Sequence, residues 1–136
     1  MSMDFRLEVV PIPVSDVDRA KRFYSEQAGF VVDLDTWIGE GVRLVQLTPP
    51  GSACSLHLNT GIAGPAPGSL QGLMLMVSDI DAARAELVER GVEVSPVQHI
   101  NEGVWVEGRG GDWNSFVFFS DPDGNGWVLQ ESPARD

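Results

Sequence analysis

Few side chains in this sequence could do chemistry, and their spacing limits what that chemistry could be. His57 stands in SLHL, a single imidazole on an otherwise apolar strand-length run. It could ligate a metal, act as a base or contact a ligand; a lone histidine there could equally be a hydrogen-bonded interior residue. His99 begins a long polar stretch and is expected to face solvent. No serine–histidine–aspartate or cysteine–histidine pattern is legible, no glycine-rich loop opens a helix to cradle phosphate, and Cys54 has no activating neighbour in sequence. Tryptophan is the second signal. Of Trp37, Trp105, Trp113 and Trp127, two lie in HINEGVWVEGRGGDW, residues 99–113, where core packing explains them less easily. Ring faces beside a cleft can stack on a planar ligand or a cation, although aromatics can also pin a loop to the body. Gln46 and Gln130 are expected on adjacent strands as polar orienters. The expected ligand-binding set is therefore His57, Gln46, Trp105, Trp113 and Gln130, with no residue assigned to catalysis.

Composition narrows the partners. The 136 residues are 43% hydrophobic, one ordinary domain's length with enough apolar content to bury a core. Twenty acidic against nine basic side chains give a net charge of −11, which repels nucleic acid and anionic membranes. That acidity serves solubility, and part of it could line a cleft for a cationic ligand. One cysteine forbids an internal disulfide and fits a reducing compartment. No basic N-terminal leader pattern or membrane-spanning run is legible, so a cytoplasmic protein is expected.

The elements that must position these residues are set by a repeat. FVFFSDPDGNGWVLQE, residues 116–131, reads as a β-hairpin: two apolar runs flank a turn built from Pro, Gly and Asn. VRLVQLTPPGSACSLHL, residues 42–58, is a weaker version of the same hairpin. Ahead of it, residues 5–14 form a strand whose Pro11 and Pro13 place it at an edge. A helix is expected over 16–28, with Val17, Ala20, Phe23 and Tyr24 packing on a sheet and Asp18, Arg19, Arg22 and Glu26 in water; Gly29 stops it, and a strand follows over 30–34. After a loop-like GIAGPAPGS at 61–69 the order restarts with a strand over 70–77, and VSDIDAA at 77–83 matches VSDVDRA at 14–20. Ile80, Ala83, Ala85 and Leu87 give the second helix its apolar side, Gly91 ends it, and Val92, Val94 and Val97 make the next strand. Residues 99–113 then form a long loop expected over the mouth of a site. The prediction is a single α+β domain over 1–136: two tandem βαβββ modules, 5–60 and 70–131, joined by a linker at 61–69.

The paired V-S-D-hydrophobic-D helix starts, the FY and GF of the first unit and the closing FFSDPDGNGWVLQE resemble the vicinal oxygen chelate superfamily. That group includes glyoxalase I, extradiol dioxygenases, fosfomycin-modifying enzymes and bleomycin-resistance proteins. The resemblance covers roughly residues 5–131. It implies that each module curls its sheet into a half-open cup and that two cups, in a homodimer, enclose a cavity. It also implies where a divalent Zn, Ni, Mn or Fe ion would sit in the enzymes of that group. The four positions fall here on Val9, Gly72, His57 and Val128, with Gln130 two residues on. Only His57 is a good donor, whereas about three protein ligands are needed. A shift of one residue would bring in Glu8 or Glu131, but strand parity turns those side chains to the opposite face unless a bulge near Pro11 intervenes. Two readings follow. One is a bleomycin-resistance-like protein without a cofactor or complete metal site, binding a small planar or cationic molecule. The other is a metal-dependent lyase, isomerase or dioxygenase with a non-standard ligand set that includes His57. A metal-free enzyme for an unnamed metabolite is a third.

Overall fold

The computed structural model describes residues 3–59 and 65–133. The first half runs β1 (Val9–Pro13), α1 (Val17–Arg22), β2 (Val31–Gly39), β3 (Val42–Thr48) and β4 (Ser55–Asn59). The second runs β5 (Leu73–Val77), α2 (Ile80–Glu89), β6 (Gln98–Asn101), β7 (Val104–Glu107), β8 (Phe116–Ser120) and β9 (Gly126–Glu131). Two mixed sheets result, ordered β1-β4-β3-β2 and β5-β9-β8-β6-β7. In each, the opening strand lies at an edge, parallel to the closing strand. The two modules are therefore an α+β pair of βαβββ type, the second enlarged by one strand.

Equivalent residues start and stop the two helices. Asp16 and Asp79 have extended backbones, and their carboxylates accept from the amides of Arg19 and Ala82 at 3.1 and 3.0 Å. Gly29 and Gly91, at φ +80° and +84°, take the left-handed turn that ends each helical segment. Before Gly29 the first helix widens into a π-type turn over Phe23–Gln27, in which the Ala28 amide reaches the Phe23 carbonyl at 2.9 Å. Ala20, Phe23, Tyr24, Ile80 and Leu87 are buried as expected, but Ala85 is exposed.

One core draws on both halves. Ile12, Val45, Leu47, Leu56 and Leu58 of the first sheet join Val117, Phe119, Trp127 and Leu129 of the second in a single apolar cluster. At its centre Tyr24 stacks on Phe30 at 5.7 Å and meets Trp127 edge-on at 5.8 Å. Each such pair adds about 0.5–1.5 kcal/mol beyond its buried area.

Three expectations are corrected. The strands expected over 5–14 and 70–77 begin later, at Val9 and Leu73, and the strand expected over 30–34 continues to Gly39. Val92, Val94 and Val97 form no strand: they turn toward the core, and Pro96, lacking an N–H, breaks any ladder after the Ser95 amide bonds the Phe118 carbonyl at 2.9 Å. The expected long loop over 99–113 instead contains most of the β6–β7 hairpin, closed at Glu102–Gly103. Of the expected linker at 61–69, residues 61–64 lie outside the described residues.

Candidate functional site

Each sheet has one face packed on the core and one left open, and register decides which side chains share the open face. Across the first sheet Pro11, His57, Gln46 and Leu34 form one row, and Val9 pairs with Ser55 in a neighbouring row on the same side. His57 therefore projects away from the core leucines that flank it. Its Nε2 lies 2.9 Å from Gln46 Oε1. The Gln46 amide nitrogen in turn donates to Asp33 at 3.4 Å, and the Thr48 hydroxyl donates to the same carboxylate oxygen. Thr48 also lies 2.7 Å from the buried Ser55 hydroxyl.

Asp33 reaches this group because β2 carries an irregularity. Val32 pairs with Leu47 and Leu34 with Gln46, so Asp33 is an extra residue against β3, and its side chain lands beside Gln46 and Thr48. Neither Asp33, Thr48 nor Ser55 was singled out by sequence reasoning. The bulge breaks alternation within VVDLD, which hides the orientation of Asp33, whereas Thr48 and Ser55 bracket the Pro-Pro-Gly turn and could have been placed by the hairpin register.

The second sheet's open face is mostly hydrocarbon. Met74 and Val128 pair, as do Met76 and Gln130; Phe118 lies beside Val128 and Phe116 beside Gln130. Met74 and Met76 are 52% and 49% exposed. Trp105, on β7 and 47% exposed, sets its ring edge-on to Phe116 and Phe118 at 5.4 and 5.1 Å. Trp113 occupies a turn at φ +63°, and its backbone carbonyl, rather than its ring, accepts from Gln130 Nε2 at 2.8 Å. A cleft of roughly 680 Å3 takes Gly72, Phe118 and Val128 from this face, with Gln27, Gln71 and Glu93 among its polar lining; His57 is not part of it.

The structure thus divides the expected ligand-binding residues into two groups, His57 with Gln46 and Trp105 with Gln130 and the Trp113 backbone. Gln46 and Gln130 do not lie on adjacent strands: β3 and β9 belong to different sheets. The segment expected as a loop over a site mouth contributes Trp105 through a strand, so this residue is held by sheet pairing and aromatic contact. His99, expected in solvent, is half-buried with Nδ1 2.8 Å from the Gly108 carbonyl. Trp127 is buried, and its indole N–H donates to Tyr24 Oη at 2.9 Å.

As a donor set for a divalent ion these residues do not fit. Val9 and Val128 offer hydrocarbon on the open faces, and Gly72 has no side chain. Glu8 is exposed ahead of β1, where its carbonyl accepts from the Ser55 amide. Glu131 accepts from the Ile80 amide at the start of α2 at 2.8 Å and pairs with Arg109 at 2.5 Å. Those two partners hold its carboxyl below the usual range. Among the described residues no three His, Cys, Asp or Glu side chains converge.

Residues 6–129 match the model of the Glyoxalase/Bleomycin resistance protein/Dioxygenase superfamily. Among solved structures, the chain is similar to TnmS3, an antibiotic binding protein from Streptomyces sp. CB03234, at 36% identity and a TM-score of 0.78, covering 97% of this chain and 98% of that one. A glyoxalase/bleomycin resistance protein from the same Streptomyces strain is 37% identical at a TM-score of 0.73, over 92% and 99% of the two chains. A member of the superfamily from Sphaerobacter thermophilus DSM 20745 is 30% identical at a TM-score of 0.76, over 96% and 100%.

Proposed function

The chain belongs to the Glyoxalase/Bleomycin resistance protein/Dioxygenase superfamily, and we propose that within it the protein binds a small planar organic molecule without a metal ion. The observation that carries this reading is the second sheet's open face. Met74, Met76, Phe116, Phe118 and Trp105 leave thioether and aromatic surface in water, and of these Phe118 also lines a neighbouring cleft of roughly 680 Å3. That volume is in the range of drug-sized pockets, and a solvent-facing Trp resting on two Phe rings offers a firm stacking surface. Methionine flanking it supplies adaptable apolar contact. The antibiotic-binding activity of TnmS3 supports the same class of ligand. The net charge of −11 and the Asp33 carboxylate on the first sheet's open face favour a neutral or cationic ligand over an anion.

Intrinsic tryptophan fluorescence tests the reading. Titration with acridinium and phenanthridinium dyes and with neutral polycyclic phenols is expected to give saturable quenching by at least one probe. Trp105→Ala should weaken that binding by about three- to tenfold, the equivalent of one lost aromatic contact, while Trp37→Phe leaves it unchanged. Absence of quenching by every probe at millimolar concentration would overturn the assignment.

A further inference from the structure

Phe118 belongs to two surfaces at once. On the second sheet's open face Trp105 stands edge-on to its ring at 5.1 Å, and the same residue lines the neighbouring cleft of roughly 680 Å3. The segment that leaves α2 runs beside it: the Ser95 amide donates to the Phe118 carbonyl and the Phe118 amide to the Ser95 hydroxyl, both at 2.9 Å. Just ahead of that clasp Val92 is buried and Val94 packs against the core, so Glu93, between them, turns outward, where it lines the cleft. The backbone thus holds a carboxylate in the same cleft as an aromatic residue of the proposed stacking surface.

The rest of the polar lining accepts hydrogen bonds and carries no positive charge. Gln27 Nε2 lies 3.5 and 3.3 Å from the carbonyls of Arg90 and Gly91, and Gln71 Nε2 lies 3.3 and 2.9 Å from those of Gly68 and Gly124. A carbonyl only accepts, so both amides commit their N–H groups to backbone and keep an uncommitted oxygen. Gln71 lies across Gly126, where an added Cβ would collide with its Oε1. The Trp127 indole N–H is committed to Tyr24. Asp121 is buried and saturated, accepting from Tyr24 Oη, the Asn125 side chain and the amides of Asp123 and Asn125. The Ser120 hydroxyl can act either way. Among the described residues no lysine, arginine or histidine lines the cleft. Arg90, nearby in sequence, lies against Gly29 and pairs with Glu86 at 3.0 Å. The ion pairs of the described residues are made by Arg19, Lys21, Arg43, Arg90 and Arg109, and none of them includes Glu93.

We propose that Glu93 is a specificity-determining residue, selecting a ligand that bears an ammonium group beside its planar body. An ammonium offers only donors, which suits a lining whose uncommitted side-chain groups accept, and its charge meets an unpaired carboxylate. An anion would find no counter-charge there, and an ether or ketone oxygen would find the Ser120 hydroxyl as its one side-chain donor. For the planar body the inference rests on the binding reading above; for the ammonium it rests on the cleft.

Pyrenemethylammonium, pyrenemethanol and pyrenecarboxylate share one planar body and differ in charge. Tryptophan-quenching titrations of the full chain at neutral pH should rank them in that order, the cation binding about five- to tenfold more tightly than the alcohol, the effect of one charge-assisted contact in a half-open cleft. In Glu93→Gln, which keeps the shape, that preference should largely vanish while the alcohol binds as before. Glu40→Gln, on the β2–β3 turn, removes the same charge from the other module and should leave the preference intact, whereas a field set by the net charge of −11 would respond to both alike. Equal binding of cation and alcohol to the wild type overturns the proposal, as does a preference that survives Glu93→Gln or falls equally in Glu40→Gln. In each of those cases the binding reading stands. If no pyrene binds, that reading fails, and benzylammonium decides the cleft by itself: saturable 1H–15N shifts at Gly91, Glu93 and Gly126 that are lost in Glu93→Gln support the ammonium site, and their absence in the wild type overturns it.

Discussion

Tyr24 is the chain's single tyrosine, and it is completely buried. Its hydroxyl donates to Asp121 at 2.7 Å and accepts from the Trp127 indole at 2.9 Å. Burial, and after it the Asp121 carboxylate, push the phenol far above its ordinary value. A raised folded-state value means that the unfolded chain loses the proton first, so the stabilisation is complete below about pH 10 and drains away above it. Tyrosinate absorbance is therefore expected only when the protein unfolds: in an alkaline titration it should rise together with loss of circular dichroism, and an earlier, reversible rise in the folded state would contradict this environment. Tyr24→Phe keeps the ring but removes a partner from both Asp121 and Trp127, a cost of about 1–3 kcal/mol in denaturant unfolding. The apolar periodicity of α1 was enough to bury this ring. Its hydroxyl's partner was not legible, because Asp121 belongs to a cluster, DPDGNG, whose residues are fully explained as a turn until the opposite module is brought against them. Asp33 was missed for a different reason: a bulge is invisible in a run that reads VVDLD.

At the scale of elements, the helices were the most legible parts, because capping Asp, apolar spacing and terminating Gly recur in both copies and agree with one another. The β6–β7 hairpin was the least. All four residues of β7 are exposed, so there was no buried face to impose alternation. The hairpin meets β8 through one register pair, Gln98 with Phe116. Below it the Asn114 side chain substitutes for a strand, its amide bonding both the N–H and the C=O of Ile100 at 2.9 and 2.8 Å. The other element-scale feature is the pin between α1 and the β2–β3 hairpin. Arg43 grips Asp35 through two nitrogens at 2.8 Å and reaches Asp18 on the helix at 2.7 Å, while Lys21 meets Asp35 at 2.6 Å. Arg43 first, and then Lys21, hold the Asp35 carboxyl well below the usual carboxylate range. Because the folded value is the lower one, the unfolded chain takes up the proton first. The pin's contribution is present in full above about pH 5 and disappears as pH falls through roughly 4 and below. Asp35→Asn should accordingly melt below the wild type at neutral pH, with the gap closing on acidification. A gap that persists unchanged at pH 3 would mean that charge is not what the pin supplies. Asp35 is partly open to solvent, so the effect should also shrink in high salt.

The two modules form one molecule through polar contacts as well as the shared core, and Asn125 shows how. Completely buried, it lies in the turn between β8 and β9, yet its amide nitrogen donates to the Pro13 carbonyl of β1 and to Asp121, both at 2.8 Å. Its amide oxygen accepts from Leu70 at the entry to β5 at 3.1 Å. Both modules' opening segments are thereby tied to the last turn, and Asp123 adds a second tie through Ser15 and Arg19. The internal repeat was legible at once, but this seam was not, since the DPDGNG turn in one copy and the Pro-Pro-Gly turn in the other give no hint that the former is hydrogen-bonded into the opposite module. Asn125→Ala would leave the Leu70 amide without its acceptor and deprive Pro13 and Asp121 of a donor in a place closed to water, with several such losses coupled in one network. Roughly 2–4 kcal/mol of stability should be lost, seen as a lower denaturant midpoint. The slope of the transition should stay unchanged, because Tyr24, Phe30, Phe119 and Trp127 still join the two halves in one aromatic cluster. If the modules instead separated into two transitions, the seam rather than the core would be what makes them unfold together. Asn125→Asp provides the companion measurement. It keeps the shape and the acceptor for Leu70 but sets a carboxylate against the Pro13 carbonyl and Asp121, so it should destabilise at least as much as alanine at neutral pH and recover in part as the pH is lowered and the new acid takes a proton.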